Sequence, residues 1–416
     1  MCRDLVLWSI SVPKMTREIP AQIHRAVTGT GTSELADGGG AGPIALPPPL
    51  VLPAYGGACL DSLVPSLLSP PHQRPGWLPA PLQRAEQVVL LLVDGLGWLQ
   101  LQDRTPLTPT MASLDGEPIS SVAPTTTATA LTSLALGMAP AAHGIVGYKF
   151  VVNGPTGREV LNVLRWSTRS GDARQFLPPR AVQPLPAFEG VALPVVTRAD
   201  FSNSGFTQAH QRGGREVPWY VPSSIPSLVR RLLLDDEALV YAYYEGVDRV
   251  AHATGFGELY DAELRFVDWL VGEMLSSMPP GTVLAVVADH GQVDVGSRAA
   301  VVAPEVAAES ELFSGEARFR WLHGRPGRTE ALAELAHAHY GAEAWVATRA
   351  EIVDAGVLGG VPAQEALERL GDVALIPLGG NAYLDPTDSG DAKLICRHGG
   401  LSPEEVLVPL LVGRAS

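Results

Sequence analysis

Three cysteines in 416 residues, Cys2, Cys59 and Cys396, are too few and too widely spaced for a disulfide framework or a CxxC zinc site. Lysine is as scarce: Lys14, Lys149 and Lys393 are all there is, and none stands in GxxxxGKS/T, which excludes a P-loop kinase. No GxSxG occurs, which disfavours a Ser-His-Asp hydrolase. No apolar stretch approaches the ~20 residues that span a bilayer. The opening MCRDLVLWSISVPK is a poor signal peptide, with Arg3 offset by Asp4 and no small-residue cleavage site. A soluble, cytoplasmic protein is the expectation, and the few cysteines fit a reducing compartment.

Only 18% of residues are charged, with 30 basic against 44 acidic and a formal charge of −14. Such a chain repels nucleic acid and acidic membranes in bulk, so no nucleic-acid partner is expected. An anionic substrate would need local positive charge, which metal ions supply to an acidic protein. What the chain does have is apolar material: 46% hydrophobic residues provide for a sizeable core and exclude a disordered protein.

Residues 1–45 show no helical or strand period and read as a disordered leader. The glycines of Thr28–Gly42 follow no strand and do not complete GxGxxG. From Gln87 the pattern sharpens. Val88–Val93 (VVLLLV) is a continuous apolar run ending in Asp94-Gly95, the mark of a strand buried on both faces. Ala238–Tyr243, Val283–Ala288 and Val406–Val412 repeat that shape, and Pro409 in the last suggests a sheet edge or a bulge. A short strand is expected over Ile119–Val122. Helical stretches lie between, over Thr127–Leu136, Glu258–Met278 and Glu330–Tyr340. The alternation predicts an α/β fold: a doubly wound, mostly parallel central sheet flanked by helices, within a catalytic domain of residues 46–416. Residues 146–235, rich in Pro and Arg, read as a cap insertion, and 305–395 as a second, irregular insertion.

In an open α/β sheet, ligands bind beyond the carboxyl ends of the strands. Asp94 follows the first strand and Asp289-His290 the third. Asp248 and His252 follow the second at a spacing of four, on one face of a helical turn. His398 precedes the last strand. Singly, each has an ordinary reading as a turn residue, a helix cap, a solvated pair or a surface histidine. Together they bring three carboxylates and three imidazoles to strand ends, and such a set would repel itself without cations. Two divalent metals resolve the conflict. Mixed Asp/His donors suit zinc and allow manganese or iron, and a metal pair ~4 Å apart is a recurring device in phosphoryl displacement. A nucleophilic hydroxyl is expected where PTTTATALTSLALG turns into a helix, near free N–H groups and the positive end of the helix dipole. Composition leaves Thr125, Thr126 and Thr127 open.

The segments VVLLLVDGLG, APTTTATALTSLALGMAPAAHGIVGY, YYEGVDRVAHATG, VVADHGQ and RHGGLSPEEVLVPLLV resemble, in order and spacing, the alkaline phosphatase superfamily, most closely its type I phosphodiesterase / nucleotide pyrophosphatase branch. The resemblance implies a hydrolase that cleaves phosphodiester or nucleotide pyrophosphate bonds through a phospho-threonine intermediate. It also implies that one metal is bound by Asp248, His252 and His398. Asp94, Asp289 and His290 hold the other, with Thr127 as further ligand and nucleophile. Thr126, Thr129 and Tyr148 are the substrate-binding candidates. Ala130 stands where the resemblance leads one to expect an Asn contacting the phosphoryl oxygens. Rival readings are a phosphomonoesterase or phosphonate hydrolase of the same superfamily, or a metal-stabilised binding protein without catalysis.

Overall fold

The computed structural model describes residues 44–388 and 393–415, so almost all of the expected leader lies outside the described residues. Seven strands form the central sheet: β1 (Val88–Val93), β2 (Asp115–Ser120), β3 (Pro194–Arg198), β4 (Arg215–Trp219), β5 (Leu239–Tyr244), β6 (Val283–Val287) and β7 (Leu407–Arg414). Their spatial order is β2-β7-β6-β1-β5-β3-β4. β1 pairs in parallel with both β5 and β6, and β3 in parallel with β5 and β4. β7 alone runs against its neighbours. Every residue of β1, β5 and β6 is buried. These three lie together at the centre with helices covering both faces, which is why their sequences do not alternate.

The helices pack in two groups. One joins Leu60–Leu68, Thr127–Leu136 and Gly205–His210; the other joins Pro109–Ala112, Ile225–Leu234 and Glu258–Ser277. The helix Thr127–Leu136 is buried along its whole length and ends at Gly137, whose φ of 66° the left-handed cap requires. A Cβ there would lie 2.3 Å from Pro65 Cγ, so the glycine also permits this helix to close on the helix before it.

Three expectations need correction. Pro409 marks neither an edge nor a bulge: β7 lies inside the sheet, between β2 and β6. The proline faces Pro118 of β2, one residue past the last β6 pairing (Leu410 with Val287), where no ladder donor is wanted. The stretch 146–235 is not all insertion. Its first part folds as an antiparallel sheet of Lys149–Gly154, Gly157–Asn162, Ser167–Thr168 and Gly171–Asp172, but its second part supplies β3 and β4 to the central sheet. The stretch 305–395 is not irregular either. It holds a four-stranded antiparallel sheet, Ser310–Glu316, Phe319–Gly324, Val373–Pro377 and Ala344–Thr348, with a core of its own around Val306, Leu322, Leu332, Val373 and Leu375.

Candidate active site

The carboxyl ends of β1, β5 and β6 lie side by side, so the residues that leave them share one crevice. Asp94 steps off β1 and Asp289 follows β6. Asp248 begins the helix Gly246–Thr254 just after β5, and its N–H donates to the Asp94 carbonyl (3.1 Å). Gly95 makes this convergence possible. Its φ is 76°, and a Cβ there would lie 2.6 Å from Gln292 Nε2 and 2.9 Å from Asp248 Cα. Its N–H donates to Asp289 Oδ1 (3.0 Å). Gly95→Ala is expected to cost about 2 kcal/mol or more of folding stability, through left-handed strain and overlap together. Denaturant unfolding would show it.

Two clusters form, and they share a histidine. Asp94, Asp289 and His290 offer donor atoms within 4.8 Å of one another, as do Asp248, His290 and His398. His290 Nε2 lies 3.5 Å from Asp94 Oδ1, 3.4 Å from Asp289 Oδ2 and 3.2 Å from Thr127 Oγ1. His252 Nε2 lies 3.2 Å from Asp248 Oδ1, and His398 Nε2 lies 3.8 Å from the same oxygen. All three imidazoles are aimed alike. Nδ1 of His252 faces the Cys396 carbonyl (2.7 Å), that of His290 the Gly291 carbonyl (3.1 Å) and that of His398 the Thr125 carbonyl (2.8 Å). A carbonyl can only accept, so each Nδ1 carries a proton and each Nε2 is the ring atom that faces the crevice.

Asp94 Oδ1 and Asp289 Oδ2 are buried without a hydrogen-bond partner. Burial first, and then the charges of Asp289 and Asp248, push the Asp94 carboxyl well above the usual carboxylate range. Asp289 is raised as well, chiefly by burial. Burial would also raise Asp248, but His252 and the other imidazoles around it hold it below its ordinary value. Burial, then neighbouring His290, lowers His398. Unpaired acceptors of this kind are costly unless an electron-pair acceptor sits among them. A divalent cation would be such a group, and the donor set fits one, since imidazole Nδ1–H bonds to carbonyls are the usual outer support of metal-ligating histidines.

The structure separates the three threonines. Thr125 is fully engaged: its hydroxyl donates to the Gly400 carbonyl (2.7 Å) and accepts from the Gly399 N–H (3.1 Å). With its own carbonyl on His398, it stitches the start of the helix to the loop that carries that imidazole. Thr126 is the extended N-cap residue, but its side chain makes no cap hydrogen bond. Thr127, the first helical residue, is the one whose hydroxyl faces His290. The N–H groups of Thr127 and Ala128 have no intrahelical acceptor and are free to meet an anion there, whereas that of Thr129 donates to the Thr126 carbonyl (3.0 Å).

A cavity of about 250 Å³ opens over this point, lined among others by Thr126, Thr127, Tyr148, Asp248, His252 and His398. Thr129 is fully buried in the helix and is not on that wall. Ala130 is likewise buried in the core, so its lack of a polar side chain removes nothing from the cavity. Several wall and support residues escaped the sequence reading. Tyr243 donates to Asp94 Oδ2, and Gln292 Nε2 donates to Asp248 Oδ1 (2.9 Å). Gln292 belongs to the VVADHGQ segment and could have been read from it. Lys149, Glu316 and Arg397 also line the cavity, and no local pattern announces them.

The fold, a central mostly parallel sheet flanked by helices, recurs in solved structures. Murine ectonucleotide pyrophosphatase/phosphodiesterase 5, in an inactive threonine-to-alanine form with AMP, is similar at a TM-score of 0.59 and 14% identity, over 78% of this chain and 87% of that one. The human protein of that name gives a TM-score of 0.56 at 13% identity, over 78% and 87%. Phosphonoacetate hydrolase from Sinorhizobium meliloti, in complex with phosphonoformate, gives 0.53 at 17% identity, over 79% and 90%. Among curated proteins none matches the sequence. The family is settled by the sequence itself. Residues 88–338 match the model of type I phosphodiesterase / nucleotide pyrophosphatase, and the chain belongs to that family, whose members are hydrolases of phosphoric ester bonds in the alkaline phosphatase superfamily.

Proposed function

We propose that this chain is a two-metal phosphodiesterase that cleaves phosphodiester or nucleotide pyrophosphate bonds with Thr127 as nucleophile. The observation that carries the reading is the contact of Thr127 Oγ1 with His290 Nε2 (3.2 Å), the imidazole that also neighbours the unpaired Asp94 and Asp289 oxygens. Asp94, Asp289, His290 and Thr127 would hold one ion, and Asp248, His252 and His398 the other. Zinc suits the mixed carboxylate and imidazole donors best, and manganese or iron would also be accepted. Bound there, the ions supply the positive charge that the acidic chain lacks, acting as Lewis acids on the reacting oxygens.

The chain's own residues do the rest. The first turn of the Thr127–Leu136 helix points its N–H groups at the phosphoryl oxygens. The Thr127 hydroxyl attacks phosphorus in line with the ester oxygen, and its proton passes to that oxygen, which leaves as the alcohol. Water then attacks the phospho-threonine, releasing the monoester and restoring the hydroxyl. Thr125 keeps its place in holding His398, and Tyr148 lines the route by which the ester enters. The inactive threonine-to-alanine form of the murine structure is in keeping with a threonine at the centre of the chemistry.

Two buried free thiols, Cys59 and Cys396, fit the reducing compartment inferred from composition, and we place the protein in the cytoplasm. No helix among the described residues is long and apolar enough to cross a membrane.

The test is turnover of bis(4-nitrophenyl) phosphate with metal analysis of the same sample. A chelator is expected to abolish activity, and zinc or manganese to restore it. Undiminished turnover in a sample stripped of divalent metal would refute the reading.

A further inference from the structure

Glu316 is a buried carboxylate on the wall of the catalytic cavity that the chemistry above does not use. It stands at the end of the strand Ser310–Glu316, in the hairpin that returns as Phe319–Gly324, and so comes from outside the central sheet. Three features place it. Gly315, with φ of 74°, turns the strand where a Cβ would lie 2.1 Å from the Phe319 carbonyl oxygen. Gly399, with φ of 119°, leaves room where a Cβ would lie 2.9 Å from Glu316 Cβ. The Tyr148 N–H donates to Glu316 Oε1 (2.5 Å) and fixes the carboxyl's orientation.

Its other oxygen is not provided for. Oε2 is buried and makes no hydrogen bond, although Glu316 is 9% exposed and lines the cavity with Thr126, Thr127 and His398. A buried acceptor left open in this way costs about 1–3 kcal/mol. Lys149, on the same wall, is already held in an ion pair by Asp388. Burial raises the Glu316 carboxyl to about 7, while the Tyr148 N–H, Thr126, Arg320 and Lys149 pull it back.

Resting on the phosphoester-hydrolase reading, we propose that Glu316 is the specificity-determining residue of the cavity, excluding dianionic phosphoryl groups and so restricting the enzyme to singly charged phosphodiesters. A phosphodiester brings one negative charge to Thr127; a monoester or a phosphonate brings a second, on an oxygen that nothing esterifies. That second charge meets the Glu316 carboxylate across a cavity of about 250 Å³. Like charges sharing a partly desolvated cavity repel strongly enough to change a rate by about one to two orders of magnitude. Glu316 thus decides between the two kinds of relative that the fold resembles, and it decides for the diester.

The test compares kcat/KM for bis(4-nitrophenyl) phosphate and 4-nitrophenyl phosphate, with inhibition by inorganic phosphate, at about pH 8.5, where carboxylates and phosphomonoesters are both ionised. The metal-loaded protein is used throughout. The unaltered enzyme is expected to favour the diester by ~100-fold or more. Glu316→Gln keeps the shape, and is expected to lower the diester-to-monoester ratio of kcat/KM ~10–100-fold and to tighten phosphate inhibition by ~10-fold. Glu316→Asp keeps the charge and is expected to keep the discrimination. An unchanged ratio and unchanged phosphate inhibition in Glu316→Gln would overturn the proposal and leave the diesterase reading standing. A ratio of one or below in the unaltered enzyme would overturn it whether or not the variants fold. Turnover of neither ester would remove the hydrolase reading and the proposal with it.

Discussion

Thr127→Ala is expected to lower diester turnover by at least ~10³-fold while leaving metal content and melting temperature nearly unchanged. The separation of these effects is what identifies a nucleophile. Thr127 is the first residue of its helix, and alanine is a good helix former at that position. The hydroxyl's contact in the structure is with His290, so its loss strands no other buried donor. Six other donor side chains remain to hold the ions. Activity and metal content should therefore part company. Thr127→Ser, which keeps a hydroxyl at the same atom, should recover a substantial share of turnover. Thr126→Ala should leave the helix in place, since that side chain caps nothing. Thr125→Ala should instead loosen the protein, because both of its hydrogen bonds tie the helix start to the His398 loop. A Thr127→Ala enzyme retaining full turnover would overturn the mechanism.

How much of this was legible before folding depended on where in the sheet a segment lies. The three central strands announce themselves because each is buried on both faces and must be apolar at every position. Asp94 and Asp289 stand out by contrast, as charges that end such runs. The helix Thr127–Leu136 was readable to the residue, bounded by threonines and Gly137. β4 was not. REVPW is mostly exposed along the edge of the sheet, and its Pro218 is tolerated at that edge, so neither apolarity nor alternation marks it as a strand. Pro409 misled for the opposite reason: what makes an interior proline tolerable is Pro118 opposite it, some 290 residues away in the chain, and no local pattern carries that pairing. The same holds for the site. Ligands that follow strands are visible in sequence, and so is the Asp248/His252 pair on its helix. Glu316 reaches the cavity only because a hairpin of a separate sheet folds over it, held by Gly315, Gly399 and the Tyr148 N–H. The candidate metal ligands follow the fold's topology, whereas Glu316 is delivered by tertiary packing.

Asp94→Asn is expected to have opposite effects on the two forms of the protein. In the metal-free protein it should raise the melting temperature by several degrees. Asp94, Asp248 and Asp289 crowd their carboxylates into one crevice, and Asp94 Oδ1 and Asp289 Oδ2 have no partner there. Neutralising one member removes like-charge repulsion, and an amide can donate to the Asp289 oxygen, relieving about 1–3 kcal/mol of uncompensated burial. With zinc present the sign reverses. Binding to the folded state alone adds about 4 kcal/mol when free metal stands at a thousand times the Kd, and the Asn variant forfeits most of that gain at the site it shares with Asp289 and His290. Thermal unfolding of both proteins, with chelator and with excess zinc, should therefore give melting curves that cross over. A variant less stable than its parent in chelator would mean that Asp94 is satisfied by the protein itself. In that case the crevice would not be built around a cation.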